Sequence, residues 1–273
     1  MMPVPQLNRR LLPFFIGVPL AWAVVLIFHP APDPDHIHGS LEDEVTQWLV
    51  VHCLTLIFIG LMGAALYLLV RDLPGTAAKI SRIAVGPFVL FYGAGEAILG
   101  IAVRVLVQYA NAESPAERGA AVDAAQLLWD NFLTGDVLLF LGAVAWGVAA
   151  LAAAVAYHRV GAPLAVSLLL GLSAIVLMHG PPIGPIGLVC FATAIVLLAR
   201  SQRKSRGLRR WRRAQSAAPD LASCLDANAE CGGIHCLRFD LVERQCRRRG
   251  LSRASAHEVI DDAVAVSRAN PQR

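Results

Sequence analysis

The sequence predicts an all-α protein, a six-helix transmembrane bundle followed by a mostly disordered cytoplasmic tail. Of its 273 residues 56% are hydrophobic and 16% charged, and its mean hydropathy is +0.56. Soluble domains carry about 25% charged and 45–50% apolar residues, so an ordinary cytosolic protein is excluded. Residues 1–199 hold 8 Lys/Arg and 12 Asp/Glu, a net charge of −4, whereas residues 200–273 hold 16 and 8, a net of +8. The two parts are therefore expected to meet different solvents.

Six apolar segments are candidates for membrane spans. A helix crossing a hydrocarbon core of about 30 Å needs about 20 apolar residues, because it rises about 1.5 Å per residue and must satisfy its own backbone hydrogen bonds. Three prolines and two glycines between His179 and Pro185 predict a tight hairpin between the last two spans. Within a membrane domain of residues 1–200, the predicted spans are about 11–28, 48–70, 83–107, 133–157, 163–178 and 183–199.

The distribution of Lys and Arg predicts the orientation of these spans. The N-terminal segment, the second and fourth loops and the stretch after the sixth span together hold 14 basic residues, whereas the first, third and fifth loops hold only Arg118. Because basic loops stay on the cytoplasmic side, both termini are expected in the cytoplasm of a bacterial plasma-membrane protein. Arg9-Arg10, an apolar run and Ala21-Trp22-Ala23 leave a cleaved signal peptide as the alternative for the first span.

Four charged residues are predicted within or at the edge of the bilayer. Glu96 lies near the middle of the third span, beside a glycine repeat at Gly86, Gly93 and Gly100, so its side chain is expected to point into the bundle, protonated or hydrogen-bonded. Arg104 lies on the same stripe nearer the outer edge, where an acidic partner entering the fourth span would neutralise it. A purely structural salt bridge explains the same pattern. The candidates are Glu96, Arg104, Asp130 and Asp136.

Histidines concentrate on the predicted outer side. The first loop adds five carboxylates and no Lys or Arg, and imidazole with carboxylate is the ligand set for zinc, copper, nickel or iron. No H-x-x-x-H or H-E-x-x-H pair is present, so the histidines are equally expected to cap helices or meet lipid headgroups. No cofactor is predicted beyond a possible divalent transition metal. Its candidate ligands are His29, His36, His38, His52 and His179.

The region after the last span is basic. Its first residues are expected to contact anionic lipid headgroups, and no nucleic-acid-binding motif accompanies them. Within the tail, residues 201–273, a capping box at Ser255 and Glu258 predicts a short helix at about 255–269. The predicted headgroup contacts are Arg200, Arg203, Lys204, Arg206, Arg209, Arg210, Arg212 and Arg213.

Three short motifs carry a resemblance. His29-Pro-x-Pro, Trp48-x-x-Val-His52 and Pro181-Pro-x-Gly-Pro185 together resemble a group of uncharacterised bacterial multi-pass membrane proteins, over about residues 10–200. The group has no assigned activity, so the resemblance implies an integral membrane bundle and assigns no catalytic residue. The tail lies outside it.

The motifs of the sequence exclude some classes of function but leave several open. P-loop, G-x-G-x-x-G and G-x-S-x-G motifs are absent from the sequence, which removes the usual signatures of ATP-driven transport and of serine hydrolases. The favoured interpretation is a non-catalytic or accessory membrane protein that senses or binds an ion at its outer face. The alternatives are a proton- or cation-coupled small-molecule transporter that uses Glu96, and a metal-dependent membrane enzyme with outer histidine ligands.

Overall fold

In a computed structural model of the chain, residues 7–131, 137–177 and 182–217 are described. All regular secondary structure in these ranges is helical, which confirms the predicted class. A 3₁₀ turn, Arg9–Leu11, precedes the first helix, and another, Ser173–Leu177, follows the seventh. The helices are α1 (Leu12–Ile27), α2 (Ile37–Leu41), α3 (Val45–Val70), α4 (Thr76–Ala112), α5 (Pro115–Asp130), α6 (Leu138–Arg159), α7 (Leu164–Leu172) and α8 (Ile183–Ala217).

Five helical segments in the described ranges are long and apolar enough to cross a membrane. The predicted fifth span, residues 163–178, corresponds to the shorter apolar stretch Leu164–Ile175, which at about 1.5 Å per residue is only about 18 Å long. Ser173 ends α7 early because its hydroxyl donates to the Leu170 carbonyl, at 2.6 Å, and its own carbonyl accepts from the Trp146 indole at 3.0 Å. The five segments are Arg9–Ile27, Val45–Val70, Thr76–Ala112, Leu138–Arg159 and Ile183–Arg203.

Helix α4 contains two wide turns. It is α-helical over Thr76–Pro87, Gly93–Glu96 and Val103–Ala112, and π-helical over Phe88–Tyr92 and Ala97–Ala102. A π-helical turn shifts the backbone hydrogen bonds from i→i−4 to i→i−5, and such turns are frequent at functional sites. Glu96 ends the short α-helical segment between them. Hydropathy gave no indication of these turns, because it does not depend on which carbonyl each N–H contacts.

Two helices that hydropathy did not identify close one end of the bundle. We call residues 30–44 and 113–130, which contain α2 and α5, the cap. Helix α5 begins at Pro115, directly after Ser114, whose hydroxyl donates to the Glu117 carboxylate at 2.8 Å. A small apolar core lies beneath the cap and contains Ile37, Leu41, Trp48, Leu99, Val103, Val107 and Ala125.

Side-chain amides join the two parts of the cap to each other and to α4. The Gln126 amide oxygen accepts from the Ile37 N–H at 3.1 Å, and its nitrogen donates to the Pro34 carbonyl at 2.8 Å. Asn111 donates to the Glu42 carbonyl at 3.1 Å and accepts from His38 Nε2 at 3.0 Å. These contacts satisfy backbone groups of the short helix α2, which is too short to be stable alone.

Close helix packing depends on glycines that differ partly from the predicted stripe. A Cβ at Gly100 would overlap the His52 ring, one at Gly142 would lie 2.6 Å from Tyr92 Cα, and one at Gly95 would lie 2.7 Å from the Leu139 side chain. A Cβ at Gly86 or Gly93 would meet nothing within 4 Å. Only Gly100 of the predicted repeat therefore lies at a helix crossing, because the π-helical turns change the rotation of α4 between the three glycines.

The chain divides into two compact units, Met1–Ala199 and Arg200–Arg273. Helix α8 continues to Ala217, so residues 201–217, which were predicted to begin a disordered tail, are helical. Arg, Lys, Gln and Ala are good helix formers, and extending an existing helix needs no new nucleus. The predicted helix at 255–269 lies outside the described residues, as does the rest of the tail.

Candidate functional site

Three polar side chains from different parts of the chain meet beneath the cap. His29 follows the end of α1, His52 lies in the second turn of α3, and Glu96 lies between the two π-helical turns of α4. Glu96 and His52 are each only 2% exposed, whereas His29 is partly buried. The expectation that Glu96 points into the bundle agrees with this burial. We call His29, His52 and Glu96 the polar cluster.

The polar cluster has short internal distances. His52 Nε2 lies 3.7 Å from Glu96 Oε2, and the His29 and His52 ring centroids are 4.9 Å apart. His29 is also close enough to Glu96 for their charges to interact. The Nε2–Oε2 separation is within ion-pair range, and an approach of about 0.8 Å would make it a hydrogen bond. The three groups therefore share one electrostatic environment.

Backbone carbonyls fix the orientation of both imidazoles. His52 Nδ1 lies 2.8 Å from the Trp48 carbonyl, and His29 Nδ1 lies 2.6 Å from the Pro30 carbonyl. A carbonyl oxygen only accepts hydrogen bonds, so each Nδ1 carries the hydrogen. In the neutral form each Nε2 therefore carries a lone pair rather than a hydrogen, and that of His52 lies 3.7 Å from Glu96 Oε2.

Aromatic rings separate the polar cluster from the cap. The Trp48 ring lies 4.2 Å from His52, 5.3 Å from His29 and 6.2 Å from Trp129 of α5, measured between ring centroids. Trp48 itself is 1% exposed and belongs to the apolar core beneath the cap. His29 Nε2 and both Glu96 oxygens are almost without solvent contact. A low effective dielectric is therefore expected around these groups.

Burial restricts the charge states that the His52–Glu96 pair can adopt. With one proton between Nε2 and the carboxyl group, the pair is either neutral imidazole with carboxylic acid or imidazolium with carboxylate, and its net charge is zero in both cases. Adding a second proton leaves +1 and removing the only one leaves −1, and an unpaired charge in an apolar interior is costly. The pair is thus suited to hold one shared proton, and His29 is the nearby base that can take a second.

His36 and His38, two of the predicted metal ligands, have other partners. His36 is largely exposed, with Nδ1 3.6 Å from the Asp33 carboxylate. His38 is buried in α2, where Nε2 donates to Asn111 and Nδ1 lies 4.0 Å from the Glu42 carboxylate. His38 therefore joins α2 to α4, whereas the contact of His36 lies within its own loop. His179 lies outside the described residues.

The predicted polar contacts of Arg104 are described only in part. Asp130 is the last residue of α5, is exposed, and accepts two hydrogen bonds from Gln126, at 3.1 and 3.2 Å. It therefore lies in the cap rather than inside the bundle, because α5 takes it out of the fourth span. Within the described ranges Arg104 and Asp130 form no ion pair. Asp136 lies outside them.

The predicted headgroup contacts all lie on α8. Arg200 and Arg203 are exposed. The side chains of the others lie outside the described part of the structure, namely Lys204, Arg206, Arg209, Arg210, Arg212 and Arg213.

Metal-site geometry is not found in the described ranges. No group of three or more His, Cys, Asp or Glu side chains there is arranged to hold a metal ion. His29, His52 and Glu96 come together as a cluster, but not as a formed ligand set.

Sequence reasoning missed two parts of this site, Trp48 and Tyr92. Trp48 covers the histidines, and its spacing of four residues from His52 on one helix was a usable signal for their contact. Tyr92 is buried four residues before Glu96, where α6 crosses α4 at Gly142. No local pattern marked Tyr92, because its burial depends on the crossing helix.

Comparison with known proteins gives no relative for this arrangement: no family model, no curated protein and no solved structure matches the chain.

Proposed function

We propose that this chain is a non-catalytic integral membrane protein that responds to protons through the His52–Glu96 pair. The observation that carries the proposal is the 3.7 Å separation of His52 Nε2 and Glu96 Oε2, with side chains only 3% and 2% exposed. Isolated charges are rare in membrane spans and are functional candidates by default. Proton exchange is the chemistry that an imidazole and a carboxyl group share without any further reactant.

The proposed response is a change in the net charge of the polar cluster. At low proton concentration one proton holds the His52–Glu96 pair neutral, and His29 is neutral as well. A second proton, taken up at an Nε2 atom, introduces a positive charge beneath Trp48. Among the described residues, Tyr92 on α4 and the remaining imidazole are further titratable groups near this charge. Because the charge is buried, its arrival changes the packing of α1, α3 and α4 against one another.

A divalent transition metal is the competing occupant of the polar cluster. Both Nε2 atoms carry lone pairs when neutral, and each imidazole is oriented through its other nitrogen, as is common for metal-ligating histidines. Metal analysis of detergent-purified wild-type protein and of H29Q/H52Q distinguishes proton binding from metal binding at the polar cluster. The proton proposal expects no metal that depends on these histidines, and stoichiometric metal lost in the variant would replace it.

Infrared difference spectra between two pH values test the proton proposal directly. A positive charge on an imidazole beside Glu96 shifts the absorption of its carboxyl group, and a proton that moves to or from this group changes the absorption between the separate frequencies of acid and carboxylate. Either event produces a paired band. We expect this band in the wild type, its loss in E96Q and a shifted midpoint in H52Q. The matched control is D130N, which removes an exposed carboxylate of the cap. A spectrum in which E96Q retains every carboxyl band would overturn the proposal.

Proton-coupled transport of a small molecule is the second candidate, favoured by the two π-helical turns that flank Glu96. Such turns interrupt a span on both sides of its acidic residue and provide positions where α4 could bend. Proteoliposomes under a proton gradient distinguish the two functions. Transport predicts substrate-dependent proton influx that E96Q abolishes, whereas a proton-responsive protein without transport leaves the gradient intact.

We further propose the complete topology: six spans, both termini in the cytoplasm and the basic part of α8 at anionic headgroups of a bacterial plasma membrane. The stretch Leu164–Ile175 would contribute the fifth crossing. Single cysteines in an otherwise cysteine-free chain test this with a membrane-impermeant maleimide. Gly119→Cys, in α5, should react in intact cells, whereas Lys79→Cys, near the start of α4, should react only after permeabilisation. The opposite pattern would invert the topology.

A further inference from the structure

An open groove lies between the end of α1 and the start of α3, separate from the polar cluster. Its volume is about 600 Å³, within the range of about 300–1,000 Å³ that is usual for sites of small organic ligands. It is lined by Val25, Phe28, Asp43, Glu44, Thr46, Gln47, Val50, Val51 and Leu54.

The groove divides into an apolar part and a polar part along its length. In the apolar part, Val50 (51% exposed) and Leu54 (36%) belong to the candidate span Val45–Val70, and Phe28 (61%) directly follows the candidate span Arg9–Ile27. Its polar part lies at the start of α3, where Thr46 and Gln47 are exposed. The Gln47 amide donates to the Phe28 carbonyl at 2.8 Å, so it joins the two walls. This arrangement places exposed apolar side chains of the candidate spans directly beside polar groups.

The charge at the polar end has one sign. Asp43 and Glu44 are both exposed and line the groove, and no Lys or Arg occurs between His29 and Glu44. Carboxylates accept strong hydrogen bonds from ammonium groups, which supply up to three N–H donors. An occupant with a cationic donor head and an apolar tail would therefore match both ends of the groove.

We infer that this groove binds a membrane phospholipid whose headgroup ends in a primary ammonium, with the ammonium at Asp43 and Glu44 and an acyl chain along Phe28, Val50 and Leu54. Thr46 and Gln47 provide donors for the lipid phosphate. An anionic lipid without the ammonium would meet two carboxylates with no compensating charge. A trimethylammonium lipid carries the positive charge but cannot donate a hydrogen bond.

Native mass spectrometry of the full-length protein in detergent tests the inference. The probes are phosphatidylethanolamine, phosphatidylcholine and phosphatidylglycerol with identical acyl chains, each added at the same concentration. We expect phosphatidylethanolamine to be retained several-fold more than either of the others. Equal retention of phosphatidylethanolamine and phosphatidylcholine, or preference for phosphatidylglycerol, would overturn the inference.

Variants locate the binding. D43N/E44Q should lower phosphatidylethanolamine retention several-fold, to the level of phosphatidylcholine. D33N/D35N removes the same number of carboxylates from the same loop outside the groove, and should retain the lipid as the wild type does. Val50→Trp fills the apolar part and should lower retention while both carboxylates remain. Wild-type retention in D43N/E44Q, or equal losses in D43N/E44Q and D33N/D35N, would assign the lipid to another surface.

Discussion

His52 on α3 and Glu96 on α4 face each other across a helix crossing, with Nε2 and Oε2 3.7 Å apart. The crossing is close at this point because Gly100, one turn after Glu96, has no side chain, and the His52 ring occupies the space that a Cβ would take. The same glycine therefore permits the helix packing and sets the position of the imidazole. The contact between His52 and Gly100 therefore contributes both to the geometry of the polar cluster and to the packing of α3 against α4.

Substitutions of His52 and of Glu96 are expected to have non-additive effects on the stability of the protein. His52→Gln and Glu96→Gln should each destabilise the protein, and a double-mutant cycle should give an interaction free energy of about 1–3 kcal/mol, because the side chains share one buried environment. Thermal unfolding in detergent measures it. The pair Asp33 and Glu117, both in the cap and exposed, provides a control cycle. Additive effects of the two buried substitutions would show that His52 and Glu96 do not interact.

Gly100→Ala is expected to lower the free energy of unfolding by about 1–3 kcal/mol, because the new methyl group would overlap the His52 ring. Gly93→Ala is the matched control on the same helix, since its Cβ would meet nothing within 4 Å. The control should be neutral or stabilising by up to about 1 kcal/mol, because Ala is a better helix former than Gly. Chemical denaturation in mixed micelles compares them. Equal effects of the two would argue against the α3–α4 crossing at Gly100.

Removal of the Gln126 amide should loosen the cap. Gln126→Ala loses the hydrogen bonds to the Ile37 N–H and the Pro34 carbonyl, so amide hydrogens of α2 should exchange faster while those of α3 are unchanged. Hydrogen–deuterium exchange with peptide resolution measures this. Gln108→Ala, an exposed position on α4, serves as control. Unchanged exchange in α2 would mean that its apolar contacts alone hold the cap.

A buried hydroxyl links α6 to the end of α3 opposite the cap. The Tyr157 hydroxyl donates to the Leu69 carbonyl at 2.8 Å, and Tyr157 is 3% exposed. Tyr157→Phe should lower the free energy of unfolding by about 1 kcal/mol, the usual effect of losing one such bond. Tyr67→Phe, at a position 46% exposed, should have no measurable effect. Equal unfolding midpoints for both variants and the wild type would contradict the contact.

Hydropathy was sufficient to predict the class of the protein and the places where most spans lie. Helices α1, α3, α4 and α6 overlap the predicted spans, because a span needs a run of apolar residues and that run is visible in the sequence. The cap was missed although Ser114-x-x-Glu117 fits the sequence pattern of a capping box, since α5 is not apolar enough to stand out by hydropathy. The predicted fifth span, 163–178, corresponds to a short apolar helix followed by a 3₁₀ turn at Ser173, and hydropathy does not indicate this turn because it involves a contact with Trp146.

By itself the sequence determined that the chain is helical, that it has segments long and apolar enough to span a membrane, and that Glu96 is an acidic residue within one of them. Only the tertiary structure decided that His29 and His52 approach Glu96, while His38 joins the cap to α4 and His36 stays largely exposed. Hydropathy is a property of consecutive residues, and it carries no information about distances between helices. Those distances depend on which surfaces fit together, here at Gly100 against His52 and at Gly142 against Tyr92.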